Sequence, residues 1–169
     1  MAVPKKVINF LDKSAIKYDV INHRKVFTAF DKSKTLRVKE SLIGKTVLLK
    51  LDKNIVITLV SGDRIIDLDK FNKIAAKAMG KEVKKVSIVK DKWIKENIKG
   101  IKIGAMPPFG QLWTIPVFID KSLLEGSKII LNSGDNQHSI KMTPTGLKRS
   151  MPEYFEGSFS KKKILKKKE

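Results

Sequence analysis

Five features of this sequence carry groups that could do chemistry: Lys45, Thr46, the run at residues 104–108, Asp135 and His138. Lys45 lies early in the apolar run LIGKTVLLKL. With a side-chain period of two it shares a face with Ile43, Val47, Leu49 and Leu51, while Thr46 falls with Lys50. An ammonium seldom buries without a partner. Lys45 therefore either borders a cleft and meets an anionic or carbonyl group, or sits at a rim and extends to water. In GAMPPFG, Pro107 and Pro108 fix their own φ angles and donate no hydrogen bond. The N–H groups of Gly104, Ala105 and Met106 are then candidates to face a ligand oxygen, with Gly104 permitting close approach. A rigid connection between a helix and a strand is the plainer alternative.

His138 shares strand parity with Ile140 and Met142, so it either points inward as a hydrogen-bonded structural residue or serves a site. Asp135 lies in the turn SGDNQ just before it, and turn acids are turn formers by default. His23 stands at a strand end beside Arg24 and has less to recommend it. With two histidines and no cysteine, a zinc or redox-metal site, a thiolate nucleophile and a disulfide framework are not expected, nor is a cofactor. No GxSxG elbow, P-loop or GxGxxG occurs, and no nucleophile triad is visible.

The elements that must position these groups can be read from periodicity. Residues 4–14 predict a helix with Val7, Phe10 and Leu11 on one face. Residues 18–23 predict a strand, and residues 28–40 a second, mostly exposed helix. LIGKTVLLKL and IVITLV flank Asp52-Lys53-Asn54 and predict a hairpin. Asp67 or Asp69 can cap a helix striped by Phe71, Ile74, Ala75, Ala78 and Met79 and ended by Gly80. Another helix is expected over residues 90–97, with Val89 and Trp93 inward. Strands follow at 114–119, 128–132 and 138–142, and Thr143-Pro144 starts a last helix. Hairpins interleaved with helices indicate an α+β fold around a mixed sheet, partly barrel-like and surrounded by helices.

The chain has 169 residues with a hydrophobic fraction of 41%, enough for one cored domain, read as 1–155. Residues 156–169 read as a Lys-rich, disordered tail. No apolar run is long enough for a signal peptide or a membrane span, so a soluble, cytoplasmic chain with no membrane partner is expected. Its 36 Lys and Arg against 17 Asp and Glu give a net charge of +19. Without the last nine residues, KKKILKKKE, the body still has 30 bases against 16 acids. A field of that sign favours polyanions, nucleic acid above all. Residues 81–102 concentrate it in Lys81, Lys84, Lys85, Lys90, Lys92, Lys95, Lys99 and Lys102, against Glu82, Asp91 and Glu96. The segment either tracks phosphates or is a solvated face.

GKTVLL, IIDLDKF, GAMPPFG, IPVFID and GDNQHSIKMTPTGL follow one another in the order seen in the YbaK family, which this chain resembles over residues 15–150. That family comprises free-standing deacylases and the editing domain inserted in bacterial prolyl-tRNA synthetases. The resemblance implies trans-editing: hydrolysis of the ester joining a wrong amino acid to the 3′ end of a tRNA, often tRNA for proline. It places Lys45 at the terminal phosphate or the aminoacyl group. It gives Gly104, Ala105, Met106, Pro107 and Pro108 the grip on the aminoacyl carbonyl and the shape of the pocket. It puts His138 near the substrate, with Thr46 where some relatives carry Asn. A small, rigid pocket would admit an Ala, Ser or Cys side chain. The tRNA acceptor end is the implied partner, with a synthetase as a further one. The rival readings are a non-catalytic RNA-binding module with the same fold, a hydrolase of another ester or amide, and a structural partner of a synthetase.

Overall fold

The two apolar runs around Asp52-Lys53 pair along their whole length as β2 (Gly44–Leu51) and β3 (Asn54–Ser61). A computed structural model describes residues 2–163 of the chain. Around this hairpin the chain runs α1 (Lys5–Lys13), β1 (Asp19–Asn22), α2 (Ala29–Leu36), then the hairpin and β4 (Arg64–Ile66). It continues through α3 (Leu68–Met79), β5 (Val86–Ile88), α4 (Asp91–Asn97), β6 (Val117–Asp120), α5 (Lys121–Leu124), β7 (Ile129–Asn132) and β8 (His138–Met142). The last elements are α6 (Pro144–Ser150), β9 (Phe155–Gly157) and β10 (Ser160–Lys162).

The central sheet has the order β5-β2-β3-β6-β9, with β3, β6 and β9 mutually parallel and β5, β2 and β3 antiparallel. Its two faces carry different cores, because alternate side chains point to opposite sides. Leu48, Ile57, Leu59 and Ile119 join α1 and the antiparallel sheet β1-β8-β7. Leu49, Leu51, Val56 and Phe118 join Phe71 and Ala75 of α3. A bridge from Ile43 to Ile130 ties the approach to β2 to β7. The mixed α+β architecture matches the sequence reading, but the sheet does not close into a barrel.

Helix ends follow local chemistry. Thr28, Asp67, Asp120 and Thr143 each accept a first-turn N–H, of Asp31, Lys70, Ser122 and Gly146 respectively. Gly80 ends α3 at φ +66°. Three expectations change. The strand expected from 114 begins at Val117, since residues 110–113 form a 3-10 turn that ends on Thr114 at φ +54°. The helix read as mostly exposed buries Lys32 and Ser33. Part of the segment read as a disordered tail is structured: β9 extends the central sheet and β10 pairs with β4.

Aromatic packing and one buried acid explain that last correction. Phe155 stacks on Phe118 at 4.9 Å, and fully buried Phe159 meets Phe71 edge-on at 5.2 Å. Such ring pairs add about 0.5–1.5 kcal/mol each beyond burial. The Asp120 carboxylate accepts the Phe159 N–H at 2.8 Å and the Ser160 hydroxyl at 2.7 Å, besides the N–H and hydroxyl of Ser122. Residues 164–169 lie outside the described part of the chain. Among the described residues no helix is long and apolar enough to cross a membrane.

Candidate active site

The start of α2, the start of β2 and the 104–106 loop enclose a cavity of about 290 Å³. Lys45, Thr46, Gly104 and Met106 all lie on its wall, so the two features singled out in the sequence meet there. Val26, Phe27, Phe30 and Ile43 supply apolar wall; Lys32, Asn132 and Lys163 supply polar wall. A second hollow, of about 530 Å³ beside Gln111, Ile115 and Tyr154, gathers no such set of cations.

Lys45 is half-buried. Its Nζ donates to the main-chain carbonyl of Arg64 at 2.7 Å. Burial, and then repulsion from Lys163, hold its pKa below the ordinary lysine value, against the attraction of Glu40 and Asp63. Arg64 is itself clamped, with Nε donating to the Ser160 hydroxyl at 2.6 Å and Nη2 to the Ser160 carbonyl at 3.2 Å. The Thr46 hydroxyl oxygen is buried and has no hydrogen-bond partner among the described residues. A group left so is exceptional in a folded protein.

Gly104 has φ +80°, and a Cβ there would lie 2.9 Å from the Phe27 carbonyl oxygen. The loop thus rests directly on the backbone of the chain that enters α2. Ala105, expected to face a ligand oxygen, spends its N–H on the Lys102 carbonyl at 3.1 Å and its carbonyl on the Gly134 N–H at 2.8 Å. It is buried and off the cavity wall. Pro107 and Pro108 are buried behind it. The N–H groups of Gly104 and Met106 donate to no other group among the described residues.

Asp135 and His138 are bonded to each other, Nδ1–H to Oδ2 at 2.5 Å, and neither lies on the cavity wall. Burial opposes ionisation of Asp135. The bonds from His138 and the Gln137 N–H outweigh it and hold the carboxyl below its ordinary value. The turn they occupy is a brace: Gly134 bonds the 104–106 loop, while Asn136 and Gln137 carbonyls accept from Val26 and His23. His23 joins the same brace, Nδ1–H donating to the Arg24 carbonyl and Nε2 accepting from the Ser139 hydroxyl at 2.8 Å. Burial lowers its pKa.

Of the basic segment, Lys99 and Lys102 are exposed and lead into the loop. Lys92 and Lys95 are exposed on α4. Lys84 and Lys85 sit at the other end of β2, where their N–H groups bond the Asp52 carboxylate; Lys81 is exposed nearby in sequence. Seven strand positions separate Asp52 from Lys45, roughly 23 Å.

Several wall residues escaped the sequence reading. Lys32 is 5% exposed and donates to the Asn132 Oδ1 at 2.7 Å; Asn132 in turn donates to the Met106 carbonyl at 3.2 Å. Burial pushes the Lys32 pKa down to about 8. Phe27 and Phe30 are each 53% exposed on this wall, with the ammonium groups of Lys25 and Lys34 over their rings. Lys163, from the segment read as a tail, reaches the cavity and pairs with Glu40 at 2.7 Å. The pair VFTAF in an otherwise polar stretch was the visible signal for Phe27 and Phe30.

Residues 23–150 match the aminoacyl-tRNA editing domain family. Among solved structures, the hypothetical protein APE2540 superposes with a TM-score of 0.79 at 19% identity, over 92% of this chain and 99% of the other. A protein assigned provisionally as a trans-editing enzyme for prolyl tRNA synthetase superposes with a TM-score of 0.75 at 20% identity, over 93% and 96%. At these identities the two likenesses speak for the fold alone. Among curated proteins, none matches the sequence significantly.

Proposed function

Because this chain belongs to the aminoacyl-tRNA editing domain family, we propose that it is a deacylase that hydrolyses mischarged aminoacyl-tRNA in the cytoplasm. The observation that carries this reading is the single cavity on whose wall Lys45 and the Gly104 loop meet. Ester hydrolysis needs a placed water, stabilisation of the negative charge that grows on the carbonyl oxygen, and a fixed acyl group. The wall offers a cation at Lys45 and unspent N–H donors at Gly104 and Met106. Water adds to the ester carbonyl, the bond to the ribose O3′ breaks, and a proton passes to that oxygen. With no nucleophilic side chain singled out, the neighbouring ribose hydroxyl helps activate the water.

The surroundings suit the 3′ end of a tRNA. Exposed aromatic rings at the mouth, Phe27 and Phe30, offer faces on which unpaired bases stack, worth about 1–3 kcal/mol per base. The net charge of +19 draws the acceptor stem, and Lys99 and Lys102 are the segment's lysines nearest the loop in sequence. For the acyl group we infer a short side chain such as Ala, Ser or Cys, carried by tRNA for proline, because the cavity is small and its loop is proline-stiffened. Release of labelled amino acid from a panel of mischarged tRNAs tests the reading. Hydrolysis of the short-chain esters is expected, and a panel left intact contradicts it.

A further inference from the structure

The cavity wall carries two further lysines that the reaction above does not use, Lys163, which pairs with Glu40, and Lys32. Lys32 is the more deeply buried of the two, and its ammonium has one neutral partner, the Asn132 Oδ1. Among the described residues no carboxylate lies on the cavity wall. An ammonium has three N–H donors, and a buried one is stabilised only by acceptor oxygens around it. Through Asn132 it is also tied to the Met106 carbonyl, in the loop that faces Lys45. Lys32 and Lys45 therefore present two cationic positions to one small ligand.

We propose that Lys32 sets the side-chain preference of the pocket: its ammonium donates to an oxygen on the short side chain of the acyl group. Seryl and aspartyl esters are then hydrolysed ahead of alanyl and cysteinyl ones. This deepens the deacylase reading and rests on it. A serine hydroxyl or an aspartate carboxylate replaces hydration that Lys32 has lost; a methyl group or a thiol does so poorly. Sites built around such a polar contact discriminate strongly, because the analogue that lacks it leaves a buried donor unpaired.

Two measurements test the inference. In the first, tRNAs charged with Ser, Asp, Ala and Cys are offered to the wild type and to Lys32→Met. The wild type is expected to favour Ser and Asp by about tenfold or more, the value of one hydrogen bond to a charged group. Lys32→Met is expected to lose that preference, read as the ratio of seryl to alanyl rates within each protein. Faster hydrolysis of Ala and Cys by the wild type, or a ratio unmoved by the substitution, overturns it. The second measurement compares binding of 3′-seryl-amino-3′-deoxyadenosine and its alanyl counterpart. Tighter binding of the seryl amide by the wild type supports the role of Lys32 even if no ester is cleaved, in which case the deacylase reading falls alone. Equal affinity overturns the proposal, and the wild-type result stands whether or not the variant folds.

Discussion

Lys45 donates to the main-chain carbonyl of Arg64 at 2.7 Å, and this bond ties the proposed catalytic cation to the C-terminal strands. Arg64 is held by Ser160, and Ser160 by Asp120. Ser160 lies beyond residues 23–150, the part that matches the family. The placement of Lys45 therefore depends on a segment that the family match does not include.

Asp120→Ala should unfasten that segment. It strands the buried Phe159 N–H and the Ser160 hydroxyl. Losing bonds to a buried charge costs about 3 kcal/mol. A guanidinium midpoint lowered accordingly, with slower deacylation, is the expected outcome. An unchanged midpoint would show that the segment is held by the Phe155 and Phe159 contacts and the β4–β10 pairing without the carboxylate.

Gly104→Ala should damage both loop and activity. The residue has φ +80°, and the added Cβ meets the Phe27 carbonyl at 2.9 Å. Strain of this kind costs about 1–3 kcal/mol. Gly100 is the control: φ is +81°, yet a Cβ there meets nothing within 4 Å. Gly100→Ala carries the same backbone strain, about 1–2 kcal/mol, without the collision, and should spare the rate. Equal rate losses in the two variants would remove the special role of the loop contact.

Lys32 gives a pH dependence of stability. Its folded pKa of about 8 lies below the ordinary 10.5 because burial disfavours the charged form. That cost is present in full below pH 8 and is relieved as pH rises from about 8 to 10.5. The stability of the wild type relative to Lys32→Met should therefore rise across that window, by on the order of 3 kcal/mol. Lys45 and Lys163 line the same cavity and are present in both proteins, and His23, whose pKa burial and Lys32 lower from 6.5, titrates below this window. Parallel stability curves would place Lys32 in water.

Salt titration separates the lysines. Lys99→Gln with Lys102→Gln should weaken tRNA binding and reduce the slope of log K against log salt by about 1.4–1.8. Lys84→Gln with Lys85→Gln, at the far end of β2, should change it less. The reverse order would move the RNA path to the Asp52 end of the sheet.

Much of this was legible in the sequence where the signal is local. The β2–β3 hairpin, the Asp67 and Thr143 caps and the Gly80 stop follow from period and end chemistry. Lys45 stood out because a cation interrupts an apolar face. Lys32 did not, because its burial is made by Asn132, a hundred positions away, and nothing around residue 32 signals a core. The strands β9 and β10 have three residues each, too few for alternation to show, and the lysines beside them read as solvent. The role expected of Ala105 failed to appear for a similar reason: the Lys102 carbonyl that takes its N–H is set by a turn, not by a periodic pattern.

Single-turnover deacylation of a mischarged tRNA by Lys45→Ala, beside the wild type, tests the central claim most directly. Removing one donor to a developing oxyanion costs about 3 kcal/mol, a hundredfold or more in rate. The account predicts a loss of at least that size with the fold retained. A near wild-type rate from Lys45→Ala would contradict it.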